Sequence, residues 1–300
     1  MPKTGLLVMA YGTPRSLDEV EEYYTDIRHG RPPPPDLLEE LKGRYRAIGG
    51  RSPLLEITEA QVRGIEQRLD GVPAYLGQKH AAPFISEAVE RMSKDGIERI
   101  LGLVLAPHYS SMSIGDYTRR AQRAAEAISW QPELNVIESW HTEPGYVRWL
   151  AARVEEAMST LPNGGRDETI VIFSAHSLPA AIVRKGDPYP EQLRETAEAV
   201  AELGRLKRWQ VAWQSAGRTA DPWLGPDILE VLPTLQATEG GVVICPCGFV
   251  ADHLEVLYDI DIEVKQRADE LGVDLVRTRA PNDDPEFLDV VAGVVRAALS

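Results

Sequence analysis

Short apolar runs recur along the chain, and each ends near glycine, proline, serine or histidine. They occupy residues 5–10, 100–106, 169–174, 210–213 and 241–245. A continuous apolar run is typical of a strand in a parallel sheet that is covered on both faces. The pattern therefore predicts strands at these positions.

Helical patterns separate the apolar runs. They cover residues 17–27, 35–47, 58–69, 84–94, 117–128, 146–158 and 191–203, and a last helix over 286–299 closes the chain. Alternation of short strands with helices favours a doubly wound α/β fold.

A turn-rich polar segment at 161–165 divides the chain near its middle. We therefore expect an N-terminal lobe over residues 1–160, completed by the C-terminal helix 286–300, and a second lobe over 161–285. Ligands of open α/β sheets bind beyond the carboxyl ends of the strands, so two such lobes predict a central cleft.

Polar or aromatic residues stand just after the predicted strands, where they would line that cleft. They are Tyr11, His108, His176, the pair Gln214 and Ser215, and the segment 246–255. A lone histidine such as His176 is often a hydrogen-bonded structural residue, but its place in a turn after a strand also suits a functional group. Both interpretations stay open at this point.

Three carboxylates follow one another at four-residue spacing in the segment 252–264. Glu255, Asp259 and Glu263 would form one slowly winding ridge on a helix whose other positions are mostly apolar. The ridge is either a solvated face or a stripe that meets a wet cleft or a cation. A local π-bulge would align the carboxylates better, and such bulges favour functional sites.

The composition narrows the classes of function. The net charge of −14 disfavours a general nucleic-acid role. The chain has only two cysteines and neither a dinucleotide nor a nucleoside-triphosphate fingerprint. Without a signal sequence or an apolar stretch of membrane-spanning length, we expect a cytoplasmic protein. A basic cluster of Arg28, His29 and Arg31 is either solvated surface or an anion clamp.

Seven segments together resemble the ferrochelatase family, above all its shorter members from Gram-positive bacteria. They are residues 5–14 (GLLVMAYGTP), 45–54 (YRAIGGRSPL), 174–179 (SAHSLP), 186–190 (GDPYP), 213–215 (WQS), 223–227 (WLGPD) and 248–255 (GFVADHLE). The resemblance covers nearly the whole chain in the expected order. It implies two Rossmann-like lobes, each a parallel sheet flanked by helices, with a porphyrin cleft between them.

The resemblance also implies roles for particular residues. His176 and Glu255 match the active-site pair and would bind Fe²⁺, and Tyr11 matches a ligand of the product iron. The residues that match an outer hydrated Mg²⁺ site are Arg44, Asp259 and Glu263. The residues expected to contact the porphyrin and its propionates are Tyr24, Arg28, His29, Ser52, Gln61, Ser113 and Tyr117.

The implied reaction is insertion of Fe²⁺ into a free-base porphyrin in heme biosynthesis, with no organic cofactor and with Fe²⁺ as substrate. The stretch 23–35 is polar and basic, which suits the four propionates of coproporphyrin III better than the two of protoporphyrin IX. We expect a monomer that has transient contacts with other heme-pathway enzymes. The alternatives are a protoporphyrin IX enzyme, a chelatase for a sirohydrochlorin-like ring, and a non-catalytic tetrapyrrole or metal carrier.

Overall fold

A computed structural model describes residues 2–217, 219–235 and 239–300. The first half of the chain builds a four-stranded parallel sheet in the order β2-β1-β3-β4. Its strands are β1 (Thr4–Ala10), β2 (Ala74–Gln78), β3 (Arg99–Val104) and β4 (Glu133–Ile137). The central strand β1 is almost wholly buried, as its unbroken apolar run requires.

The second half builds a second four-stranded parallel sheet, in the order β6-β5-β7-β8. Its strands are β5 (Ile170–His176), β6 (Trp209–Gln214), β7 (Val242–Cys245) and β8 (Leu275–Arg277). The register of β5 with β6 places His176 directly opposite Gln214 at the carboxyl end of the sheet. Strand pairing therefore fixes the position of His176 at this end of the sheet.

Helices cover the sheets and connect their strands. They are α1 (Val20–Ile27), α2 (Pro35–Ala47), α3 (Leu54–Glu66), α4 (Ile85–Lys94), α5 (Ile114–Ala127), α6 (Pro144–Thr160), α7 (Ala181–Arg184), α8 (Tyr189–Gly204), α9 (Ile228–Val231), α10 (Leu254–Leu257), α11 (Lys265–Leu271) and α12 (Pro285–Leu299). Residues Leu17–Glu19 and Leu232–Leu235 form short 3₁₀ helices, and Asp259–Val264 is a π-helix. Proline at the first position starts α2, α6 and α12, where its fixed φ suits a helix and its missing N–H costs nothing.

The predicted α/β architecture of two parallel sheets flanked by helices is confirmed. All five predicted strands exist, but β2, β4 and β8 were missed. β2 contains Gly77 and Gln78, and β4 alternates exposed and half-buried residues at the edge of its sheet, so neither is a continuous apolar run. β8 is only three residues long.

One apolar cluster joins the two halves of the molecule. It contains Val8 of the first sheet, Phe173 of the second and Phe287 of α12. The α12 helix packs against α3, α6 and β3, while α6 also packs against α8 and β7. The ring of Phe287 lies 6.0–6.2 Å from the rings of Trp140, Tyr146 and Trp149.

Two polar contacts also tie the lobes together. The amide nitrogen Nε2 of Gln61 on α3 donates to the main-chain oxygens of Val250 (2.9 Å) and Asn282 (2.8 Å). The carboxylate of Asp187, between α7 and α8, accepts hydrogen bonds from Ser110 and from the main chain of Ser111, both after β3. Each lobe is therefore held to its neighbour at more than one point.

Across residues 2–217, 219–235 and 239–300, no helix combines the length and the apolar character needed to cross a membrane.

The aromatic cluster around Phe287 yields a stability prediction. Phe287 has no exposed surface, so Phe287→Ala should lower the free energy of unfolding by about 3–5 kcal/mol through lost burial and the cavity left behind. Denaturant titration followed by circular dichroism measures this. Leu203→Ala is the control, because Leu203 is 52% exposed and should change stability by less than about 0.5 kcal/mol. Equal effects of the two substitutions would contradict a core role for α12.

Candidate active site

A cavity of about 750 Å³ opens at the carboxyl ends of both sheets. Its volume lies within the usual range for sites that bind an organic ligand. Both lobes contribute to its walls: Tyr11 follows β1, His108 follows β3, His176 ends β5, and Glu255 lies on α10. Polar side chains from separate strand ends thus converge on one space, as the sequence pattern predicts.

Hydrogen bonding fixes the tautomer of His176. Its Nδ1 contacts the main-chain oxygen of Ser177, which can only accept, so Nδ1 carries a proton. Nε2 is then the nitrogen that gains or loses a proton, and it lies 3.4 Å from Oε1 of Glu255. His176 is therefore oriented by the backbone and presents its titrating nitrogen to a carboxylate.

Glu255 lies between two imidazoles, one on each carboxylate oxygen. Oε1 faces His176, and Oε2 lies 3.7 Å from Nε2 of His253. His253 repeats the arrangement of His176, because its Nδ1 contacts a main-chain oxygen, that of Ala251, at 2.9 Å. The carboxylate is the shared centre of a histidine–glutamate–histidine group.

The pair of His176 and Glu255 is strongly coupled. Burial alone disfavours a charged imidazole, but the Glu255 carboxylate outweighs that penalty and raises the pKa of His176 to about 9. Burial would raise the pKa of Glu255, yet the two histidines hold it well below its usual range. At neutral pH the pair is an imidazolium and a carboxylate.

Tyr11 lies on the wall that the N-terminal lobe contributes. Its side chain is 43% exposed, and its ring centroid is 4.7 Å from that of His80. His80 in turn contacts Asp26 on α1 through Nδ1 at 2.6 Å. Desolvation and the negative charge of Glu255 raise the pKa of Tyr11 well above its usual value. The phenol is therefore protonated when the cleft carries no cation.

The acidic ridge meets the cleft. Glu255, Asp259 and Glu263 all line the cavity, and the π-helix begins at Asp259. The carboxylate of Asp259 is already engaged: Oδ1 lies 2.5 Å from Nη2 of Arg44, and Oδ2 accepts from the hydroxyl of Ser215. Burial raises the pKa of Asp259 to about 6 despite Arg44. This arrangement favours the cleft-facing interpretation of the ridge over a plain solvated face.

The remaining expected contact residues divide into two groups. Residues that line the cavity are Tyr24, Arg44, Ser52, Gln61, Ser113 and Tyr117. Arg28 and His29 are not among the lining residues: the Arg28 guanidinium lies 5.8 Å from the centre of the Tyr24 ring, and His29 is exposed. Gln61 uses both amide hydrogens between the lobes, so only its oxygen remains for a ligand.

Two lining residues, Trp223 and Lys79, were missed as site candidates, and Gln214 was expected to line the cleft but was given no role. Gln214 and Trp223 line the cavity with His176, and the Trp223 ring centroid lies 6.4 Å from that of the imidazole. Lys79 reaches the cavity from the end of β2 and pairs with Asp116 at 2.8 Å. The segments WQS and WLGPD held a signal for Gln214 and Trp223, whereas Lys79 follows a strand that the apolar pattern did not reveal.

No preformed metal centre of three or more side chains is present in the described part of the chain. Within residues 2–217, 219–235 and 239–300, no group of three or more histidine, cysteine, aspartate or glutamate side chains is placed to hold a metal ion. The expectation of an outer Mg²⁺ site at Arg44, Asp259 and Glu263 stays a prediction. Any metal contact at His176 and Glu255 would involve those two residues with water or with another ligand.

Solved structures share this architecture at low sequence identity. SirB from Bacillus subtilis with Fe³⁺ aligns with a TM-score of 0.66 and 13% identity, over 98% of this chain and 94% of that one. CbiX, described as the terminal enzyme for biosynthesis of siroheme in denitrifying bacteria, aligns with a TM-score of 0.60 and 14% identity, over 99% and 100%. At these identities the similarity shows the chelatase-type fold and nothing more.

Sequence relatives are far more similar. The coproporphyrin III ferrochelatase of Geobacillus kaustophilus is 49% identical over 299 residues, which are 97% of this chain and 94% of that protein. The enzyme of the same name from Listeria monocytogenes is 47% identical over 301 residues, covering 98% and 97%. The family model described as Ferrochelatase matches residues 3–299. The resemblance seen in the sequence is confirmed, and the chain belongs to the ferrochelatase family.

Proposed function

We propose that this protein inserts Fe²⁺ into coproporphyrin III to give coproheme, a step of heme biosynthesis. Membership of the ferrochelatase family and full-length relatives named coproporphyrin III ferrochelatase support the reaction. The observation that carries the proposal is the His176–Glu255 pair at 3.4 Å within a cavity of about 750 Å³.

Insertion of Fe²⁺ into a porphyrin requires a proton acceptor close to the metal. A free-base porphyrin carries two pyrrole N–H protons, and both must leave as Fe²⁺ enters. His176 accepts a proton or binds the metal only when Nε2 is neutral, whereas the Glu255 carboxylate favours the protonated form of Nε2 at neutral pH. An Fe²⁺ ion near Glu255 would weaken the carboxylate's hold on that proton, because a second positive charge disfavours imidazolium. Arrival of the metal thereby frees the base.

Glu255 and the two carboxylates that follow it, Asp259 and Glu263, provide a route for protons or for hydrated Fe²⁺. The series Glu255, Asp259 and Glu263 leads from the His176 pair along one wall of the cleft. It can carry released protons outward or guide hydrated Fe²⁺ inward. Asp259 suits proton transfer, because its pKa of about 6 lies near neutrality. The outer Mg²⁺ site belongs to this proposal as well: with Asp259 held by Arg44 and Ser215, such an ion would be bound through its water shell.

Tyr11 is proposed as the ligand of the product iron. Its phenol lines the same cavity as His176 and Glu255 but belongs to the other lobe. Burial and the charge of Glu255 favour the protonated phenol, and a ferric or ferrous ion in the ring would lower its pKa. Tyr11 would then bind iron from one side of the ring while the His176 pair handles protons.

The preference for coproporphyrin III depends on the polar surroundings of the cleft. Arg44 and Lys79 line it, as do the hydroxyl groups of Tyr24, Ser52 and Ser113. Arg44 and Lys79 are already paired with Asp259 and Asp116, so the additional propionates of coproporphyrin III would be met by the hydroxyl donors. The vinyl groups of protoporphyrin IX cannot accept hydrogen bonds from those donors. Arg28 and His29 would contribute from the rim, outside the residues that line the cavity.

The first prediction concerns substrate choice. Anaerobic mixing of the protein with Fe²⁺ should convert coproporphyrin III to its metallated form faster than protoporphyrin IX, followed by loss of the free-base spectrum. Binding of either ring without metallation would instead identify a carrier. A preference for protoporphyrin IX would keep the chelatase activity and reject the argument from the cleft's polar lining.

The second prediction concerns His176. His176→Ala should abolish metallation while porphyrin binding persists, because the substitution removes the proton acceptor but leaves the walls of the cleft. Single-turnover absorbance gives the rate, and quenching of tryptophan fluorescence gives porphyrin binding. His141→Gln is the control: His141 is a buried imidazole paired with Glu195 and is not among the residues lining the cavity, so this variant should metallate normally. Turnover by His176→Ala would reject the assigned role.

The third prediction concerns pH. Because neutral imidazole is required and the pKa of His176 is about 9, kcat/KM should rise with pH until about pH 9. Glu255→Gln removes the negative charge that raises this pKa, so the rise should move to lower pH in the residual activity of that variant. Both proteins are measured anaerobically from pH 6 to 10. A rise of kcat/KM at the same pH in the two proteins would contradict the coupling of His176 to Glu255.

A further inference from the structure

Gln214 is the last residue of β6 and faces the site without being one of its proposed reacting groups. It is paired in register with His176 and is only 2% exposed. Its main-chain oxygen accepts a hydrogen bond of 2.7 Å from the nitrogen of Ser177, the residue that fixes the His176 tautomer. The backbone of Gln214 therefore fixes the turn that carries the imidazole.

The side chain of Gln214 reaches the other half of the pair. Nε2 donates to the main-chain oxygen of Glu255 at 2.9 Å, and Oε1 accepts from the hydroxyl of Ser174 at 2.9 Å. A carbonyl can only accept, so the amide cannot be turned around without losing the contact with Glu255. One buried glutamine is thus hydrogen-bonded to the strand of His176 and to the helix of Glu255.

The helix that carries Glu255 needs such support. α10 is four residues long, and its N-cap residue His253 makes no side-chain capping bond. α10 is the first turn of a longer helical segment that continues through Tyr258 into the π-helix Asp259–Val264 and α11. The first turn of a helix leaves N–H groups without intrahelical partners and frays most easily, so contacts from outside the helix help to fix the position of Glu255.

The next residue along the chain extends the same support. The hydroxyl of Ser215 donates to Asp259, the following carboxylate of the ridge. Gln214 at the end of β6 and Ser215 directly after it thus contact two consecutive members of the acidic series.

We propose that Gln214 is a positioning residue that sets the separation and orientation of His176 and Glu255, and so the rate of metal insertion. The inference rests on the proposed function of that pair. Gln214 touches neither metal nor protons in this scheme; it acts through the main chain of Glu255 and through the turn after His176. The side chain can therefore be changed without removing a reacting group.

Kinetics test the proposal. Gln214→Met keeps the length and burial of the side chain but removes both hydrogen bonds, so the rate of metallation should fall about 10- to 100-fold with porphyrin affinity unchanged. In a Glu255→Gln background the same substitution should have little further effect on the rate, because the His176–Glu255 ion pair that Gln214 positions is already absent. Rate losses that multiply in the double variant, or an unchanged rate in Gln214→Met, would overturn the proposal.

Matched variants separate positioning from general destabilisation. Gln78→Met removes an equally buried glutamine at the end of β2, where the amide bonds only a local carbonyl, that of Ala82 at 2.7 Å. It should not show the coupling to Glu255→Gln. Should Gln214→Met fail to fold, Gln214→Asn keeps a neutral amide but is one methylene shorter, so it cannot make the same hydrogen bond to the main-chain oxygen of Glu255, and the same rate loss is expected.

A structural readout is independent of activity. Crystal structures of the wild-type protein, Gln214→Met and Gln78→Met give the distance between Nε2 of His176 and Oε1 of Glu255. This distance should be longer in Gln214→Met than in the other two proteins. An unchanged gap overturns the positioning role even if the protein metallates porphyrin. A widened gap in a protein that metallates nothing supports the positioning role and rejects the proposed function instead.

Discussion

The site depends on one ion pair that is held partly out of water. Charging a buried imidazole is unfavourable by itself, and so is charging a buried carboxylate, but His176 and Glu255 at 3.4 Å offset each other's penalties. The two residues are far apart in the chain and are attached to different elements of one lobe. Strand pairing, the turn at Ser177 and the short helix α10 must all be correct before the pair exists. The surrounding hydrogen bonds follow from this requirement.

Much of the architecture could be predicted from the apolar pattern, because buried parallel strands must be continuously apolar and the helices between them must be amphipathic. The pattern was insufficient where burial is incomplete. β4 at a sheet edge contains Glu133 and Asn135, and β2 ends in a buried Gln78 that only the tertiary structure explains. The π-helix at Asp259–Val264 was also beyond the sequence, since four-residue spacing fits an α-helix equally well and the extra residue per turn depends on packing.

The ends of the predicted strands were a good guide to the residues of the site, but they did not indicate which residues pair with one another. Tyr11 follows β1, His176 ends β5 and Glu255 lies in the segment after β7, so all three could be selected as candidates from one sequence. Arg44 meets Asp259 across 215 positions of the chain; the resemblance grouped these two residues, but no pattern in the chain itself predicts their ion pair. The basic stretch near Arg28 shows the opposite case: its composition allowed either solvated surface or an anion clamp, and the cavity is lined by Tyr24 and not by Arg28 or His29.

The contacts between the lobes determine how the cleft can respond to a ligand. Gln61 ties α3 to the loop of Val250, and Asp187 ties the other lobe to Ser110 and Ser111. Because the walls are joined at both places, a hinge-like opening of the cleft would break the hydrogen bonds of Gln61 or Asp187. A ring whose outline differed from that of the walls would then adapt by bending, since bending the ring breaks no contact between the lobes. Strain placed on a ligand in this way would need no closing motion of the protein.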